Sequence, residues 1–100
     1  MIVVLFWSRL TNEAGEDYSA MASEMVERAK HTVGFVDFKS FAAQDGERLS
    51  IIHWQDEATM TVWANDERHR VARQLGRDKW YQYFRLEVAH VTRGWDFHRA

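Results

Sequence analysis

The stretch Ile51–Tyr83, IIHWQDEATMTVWANDERHRVARQLGRDKWYQY, decides the reading of this chain. It joins a strand ending near Trp54 to a broken helix carrying Trp63 and His69, then to an aromatic start of a last strand. Asp56 suits the N-cap of a helix beginning at Glu57. Asn65-Asp66 interrupts the apolar stripe and caps a second helical piece that runs to Leu75, with Gly76 at its C-terminal end. A short turn around Arg77 to Trp80 leads into Tyr81 to Arg93, which alternates as a strand.

Working backwards, Arg48 to Gln55 is the strand before this helix. Gln44-Asp45-Gly46-Glu47 precedes it, and its Asp-Gly pair signals a hairpin, so Phe35 to Ala42 is the antiparallel partner. Gly34 closes off an earlier helix, Glu16 to His31, in which Tyr18, Met21, Ala22, Met25, Val26 and Ala29 recur at the spacing of one helical face. Ile2 to Leu10 is apolar in both alternating sets, Ile2, Val4, Phe6 and Val3, Leu5, Trp7, and reads as a strand covered on both sides. Gly94 to Ala100 reads as a tail. The order is β-α-β-β-α-β: an α+β, ferredoxin-like fold with a four-stranded antiparallel sheet and helices on one face.

One hundred residues fit a single domain, 1–100, with a core of modest size. The expected open sheet face, with Phe35, Phe41, Leu49, Ile51, Ala89 and Val91 in its alternating sets, calls for a cover, and a second copy of the sheet packed about a two-fold axis supplies one. A homodimer through that face is the expectation. Thirteen Lys plus Arg against 15 Asp plus Glu give a net charge of −2, interspersed along the chain, which does not make a nucleic-acid footprint. The absence of Cys excludes disulfides, thiolate nucleophiles and Cys-ligated metals. His31, His53, His69, His90 and His98 show no tight ligand spacing, so no dedicated metal site is expected. The apolar start, MIVVLFW, meets Ser8 and Arg9 too soon for a signal or spanning segment, and a cytoplasmic protein with no membrane contact is the expectation.

The Gly34-Phe35 lead-in to the second strand, Trp54 followed by Asp56-Glu57-Ala58, then Trp63, His69, Gly76, Trp80-Tyr81 and Arg93, together resemble the antibiotic biosynthesis monooxygenase family of the dimeric α+β barrel superfamily. The resemblance spans nearly the whole chain. It implies the fold more strongly than a reaction. Known activities in such a family include cofactor-independent oxygenation of phenolic polyketides, haem degradation and the handling of small signalling molecules. Haem-degrading members carry an Asn before an Arg on the first strand, a Trp on the second helix and a ligating His about three helical turns further on. Here Ser8 precedes Arg9, Trp63 keeps the Trp, Val71 to Gln74 holds no His, and His69 comes early. Polyketide-oxidising members combine the Trp with polar groups on the neighbouring helix and last strand, for which His69 and Arg85 are the counterparts.

Oxygenation without metal or flavin needs a base to deprotonate an activated phenol or enol, a counter-charge for the anion and a dry pocket. His69 or His53 could take the proton. Arg85 or Arg9 could stabilise the oxyanion, and Trp63, Trp54 and Phe38 could form apolar walls. Each has a plainer reading: core packing for Trp63, a surface or capping role for His69, a hydrogen-bonded core position for His53, and an ion pair for Arg85. The favoured expectation is a monooxygenase of a small aromatic or enolic substrate that uses no cofactor. The alternatives are a haem-binding or haem-degrading oxygenase and a non-catalytic dimeric binding or stress-related module.

Overall fold

The computed structural model describes residues 1–99. Strand β1 (Ile2–Leu10) is followed by helix α1 (Glu16–Lys30), the hairpin β2 (Phe35–Ala42) and β3 (Arg48–Trp54), helices α2 (Glu57–Ala64) and α3 (Glu67–Leu75), a π-helical turn (Gly76–Trp80) and β4 (Tyr81–His90). The sheet order is β2-β3-β1-β4 with every neighbouring pair antiparallel, the ferredoxin-like arrangement. β1 is central, which is why both its alternating sets are apolar. β3 ends one residue sooner than expected, α1 stops at Lys30, and β4 stops at His90, short of Arg93.

The helix break falls where the sequence places it. Asp56 caps α2 by accepting from the Thr59 amide at 2.8 Å, and Asp66 caps α3 by accepting from the amides of Arg68 at 2.9 Å and His69 at 3.1 Å. α3 ends at Leu75 with Gly76 as its C-cap, where the sequence places the end. Gly76 keeps right-handed helical angles and the chain winds on into the π turn, because this glycine serves close approach: a Cβ would lie 2.6 Å from the Tyr81 ring. The trace then turns into β4 at Tyr81.

Register settles which side chains share a face. Ile2, Val4, Phe6 and Ser8 of β1 pair across β3 with Trp54, Ile52, Ser50 and Arg48, and this set looks toward the helices. The core lies at one end of it, where Ile2, Val4, Ala29 and Trp54 are buried, with Phe35, Ile52, Met60 and Trp63 packed around them. Val3, Leu5, Trp7 and Arg9 therefore occupy the open face with Leu49, Ile51 and His53. Phe35 is a correction to the expected open-face set. A bulge at Val36 shifts the register so that Phe35 pairs with Trp54 while Asp37 pairs with His53, and Phe35 turns to the helix side. A second bulge at Gln82 lets Tyr81 join Phe84 and Leu86 on the helix side although their numbers differ in parity.

Candidate functional site

Between the sheet and its helices lies a cavity of about 850 Å³. One end is aromatic. Phe35 meets Trp54 edge-on at 5.7 Å, Trp54 stacks on Trp63 at 6.3 Å, and Trp63 stacks on the His69 ring at 4.6 Å with the planes only 17° apart. The helix break makes this possible, because α2 ends just after Trp63 and α3 begins just before His69, so the chain folds back and lays one ring on the other.

His69 has a defined protonation geometry. Its Nδ1 lies 3.1 Å from the Trp63 carbonyl oxygen, which can only accept, so Nδ1 carries the proton and Nε2 holds the lone pair. Burial holds the imidazole below its ordinary pKa of 6.5, the Trp63 carbonyl opposing that push and the charge of Arg73 adding to it. The start of α3, just before this residue, is anchored twice to α1: Arg28 bonds the Asp66 carboxylate at 2.9 Å, and Arg68 grips Glu24 through two bonds of 2.7 and 2.8 Å.

The other end is more polar. Ser8, 3% exposed, sits between Arg48 on β3 and Phe84 on β4. Tyr18 of α1 lies under the Arg48 guanidinium at 6.0 Å and edge-on to Tyr81 at 6.1 Å, while Arg77 of the π turn lies over the Phe84 ring at 5.7 Å. Burial, with Tyr18 adding to it, pushes the Tyr81 phenol well above its ordinary range, so it stays protonated. Asp17 locks this end by accepting from Lys79 Nζ at 2.8 Å and Trp80 Nε1 at 3.1 Å, and the Lys79 bond holds its carboxyl far below the usual range.

Of the residues singled out in the sequence, His69, Trp63, Trp54, Phe38 and Ser8 line this one cavity. His53, Arg85 and Arg9 lie on the opposite face of the sheet, because each pairs in register with an open-face residue. His53 Nδ1 meets Asp37 at 2.7 Å beside a depression of about 280 Å³, which Phe38 also borders. Arg85 has no salt bridge among the described residues; it stacks on Trp7 at 4.1 Å. Arg9 reaches Asp45 at 3.3 Å. The cavity's own cations are Arg48, Arg73 and Arg77, which the sequence reading did not single out. Arg48 was available to it by counting back in twos from Trp54. No cluster of three or more metal-ligating side chains occurs among the described residues, and no helix is long and apolar enough to cross a membrane.

With this geometry in view, the solved structures are informative. A Deinococcus radiodurans protein named as a candidate antibiotic biosynthesis monooxygenase matches with a TM-score of 0.84 over 99% of this chain and 100% of that one, at 9% identity. Another, named an antibiotic biosynthesis monooxygenase, matches with a TM-score of 0.78 over 93% of this chain and 100% of that one, at 18% identity. The chain has the fold of the antibiotic biosynthesis monooxygenases. Sequence likeness points the same way. The chain is 27% identical over 95 residues to the jasmonate monooxygenase of Pyricularia oryzae, covering 92% of this chain but 44% of that protein, so it spans less than half of that relative. It is also 27% identical over 89 residues to the uncharacterised protein YqjZ of Bacillus subtilis, covering 89% of this chain and 78% of that one. No protein-family model matches the sequence.

Proposed function

We propose that the protein is a cofactor-independent monooxygenase of a small phenolic or enolic substrate bound in the helix-side cavity. The observation that carries this reading is the His69 imidazole, whose Nδ1 proton is committed to the Trp63 carbonyl, leaving Nε2 as a lone-pair acceptor at an apolar wall. A neutral imidazole with a lowered pKa is ready to take a proton near neutrality. Arg73, one helical turn after His69 and also lining the cavity, supplies the counter-charge for the resulting phenolate or enolate. Trp63, Trp54 and Phe38 keep the anion out of bulk water.

Such an anion can itself reduce oxygen. The activated methylene carbon gives up two hydrogens, one oxygen atom becomes its carbonyl oxygen, and the other leaves as water, so no external reductant is needed. His69 holds the first proton and returns it to the departing oxygen. His53, Arg85 and Arg9 have no part in this pocket, since the sheet separates them from it. The name of the Pyricularia relative, a jasmonate monooxygenase, supports oxygen insertion into a small organic molecule.

The open face supports a homodimer. Val3, Leu5, Trp7, Leu49 and Ile51 present an apolar surface that no helix among the described residues covers. Oxygen uptake across a panel of phenols and quinols tests the activity: His69→Ala and Trp63→Ala are expected to abolish turnover, and activity untouched by both sinks the assignment.

A further inference from the structure

The Ser8 end of the cavity holds two guanidinium groups with no carboxylate partner among the described residues. Arg48 rests over Tyr18, and Arg77 over Phe84. Ser8 lies between them: Phe84 pairs with it in register on β4, and Arg48 pairs with it on β3. The neighbouring acids are committed elsewhere. Asp17 serves Lys79 and Trp80, Glu47 accepts from the Tyr83 hydroxyl at 2.7 Å, and Asp45 pairs with Arg9. Glu27, the acidic residue that lines the cavity, is on the last turns of α1, toward the Ile2 end, and lies 3.6 Å from Lys30. Ser8, buried at the sheet, borders the same space with its hydroxyl-bearing side chain.

The half-buried Arg48 and the exposed Arg77, neither in a salt bridge among the described residues, flank the Ser8 row and form a place for an anion. Between this place and the His69 end the floor of the cavity is mainly apolar: Val4, Phe6 and Ile52 run along it, with the mutually bonded hydroxyls of Ser40 and Ser50 as its polar step. The six steps from Ile2 to Ser8 advance about 20 Å at strand rise. A ligand filling the cavity is therefore elongated, apolar in its middle and differently functionalised at its two ends.

We propose that Arg48 and Arg77, with Ser8, bind a carboxylate on the substrate, so that the substrate class is an amphipathic acid whose oxidisable ring or enol lies at His69 and whose carboxylate lies at the opposite end. This rests on the helix-side cavity being the substrate site. The carboxylate is held across the Ser8 row, accepting from the guanidinium groups on either side and from the Ser8 hydroxyl. Arg48 and Arg77 thereby fix which end of the substrate reaches the base, and an uncharged analogue of the same shape loses that orientation.

The test is a binding measurement that does not depend on turnover. Quenching of tryptophan fluorescence, with Trp54 and Trp63 in the cavity, reads the affinity for para-hydroxyphenyloctanoate and for its uncharged amide. The acid is expected to bind about tenfold or more tightly than the amide, as charge-assisted hydrogen bonds imply. Arg48→Gln and Arg77→Gln are each expected to shrink that preference, and together to bring it near parity, while affinity for the amide stays constant. Equal binding of acid and amide by the unaltered protein, binding of neither, or a preference that survives both substitutions overturns the proposal. Tighter binding of the matching phosphate monoester than of the acid overturns the carboxylate assignment. Oxygen uptake is read separately: a carboxylate preference without His69-dependent uptake supports this subsite and defeats the oxygenase reading, and uptake without the preference does the reverse. Far-ultraviolet circular dichroism confirms that the variants fold.

Discussion

The imidazole of His69 lies flat on the indole of Trp63, 4.6 Å between centroids, while its Nδ1 proton points to the carbonyl oxygen of that same Trp63. One residue thus fixes both the plane and the tautomer of the other. The consequence is kinetic. Only the neutral form of His69 can accept a proton, and burial lowers its pKa, so kcat/KM is expected to fall with decreasing pH only below 6.5, the ordinary value. His69→Gln is expected to cost about 10²–10⁴-fold in kcat, the usual contribution of a positioned base, and to remove the acidic limb. A limb left unchanged in the variant would assign it to another group.

The same shift makes a stability prediction with a defined sign. Because the folded state holds His69 below its unfolded pKa, the unfolded chain binds more protons between the two values. Stability is full above the unfolded value near 6.5 and is lost as pH falls through the lower folded value. Thermal melts taken between neutrality and mild acid are expected to show Tm falling in the native protein. His69→Gln is expected to flatten that slope.

Much of the fold was legible because its signals are local. Asp56 and Asp66 each announce a helix start by side-chain chemistry, the Asp45-Gly46 pair announces the hairpin, and Gly46 does adopt the left-handed region there, at a φ of 91°. The faces were less legible, because parity holds only while the register does: the bulges at Val36 and Gln82 move Phe35 and Tyr81 to the helix side. Gly76 marks the end of α3 at Leu75, but its close approach to Tyr81 and the π turn that follows have no local signal. The site was half legible. Trp63 and His69 share a continuous stretch, whereas the meeting of Tyr18, Arg48 and Tyr81 joins three distant segments and has no local mark.

Two glycines give a graded test of these contacts. At Gly34, φ is 93° and an added Cβ would overlap the Thr59 side chain, so Gly34→Ala carries both backbone strain and a clash against α2. Gly76→Ala meets the Tyr81 ring but keeps an ordinary helical backbone. Denaturant unfolding is expected to show a loss of about 1–3 kcal/mol for Gly76→Ala, the usual cost of overpacking, and a larger loss for Gly34→Ala. The reverse order would mean that Thr59 yields more easily than the packed aromatic ring.

The open sheet face predicts a self-association that one charge can disrupt. Ile51 sits at its middle, paired in register with Leu5 on one side and Lys39 on the other. Ile51→Glu brings two carboxylates into the apolar centre of a two-fold interface, where desolvation is costly even with Lys39 in register beside each. Sedimentation equilibrium is expected to give a dimer for the native protein and a monomer for Ile51→Glu. A native monomer at all concentrations would leave the apolar face to some other partner.

Haem offers the sharpest contrast with the oxygenase reading. His69 is the one imidazole lining the cavity among the described residues, and its Nε2 lone pair is the donor that would hold a haem iron. The stretch Val71 to Gln74 contributes no second imidazole. Bound haem would supply oxygen activation at iron, and this chain would contribute His69 as ligand and Trp63 as the wall beside it. The same lone pair cannot both ligate iron and take a substrate proton, so the two functions exclude each other at this residue. A haemin titration is expected to show no saturable Soret shift that depends on His69. A saturable shift in the native protein that His69→Ala abolishes, followed by decay of the band when a reductant is added in air, would transfer the site to haem degradation and remove His69 as the base.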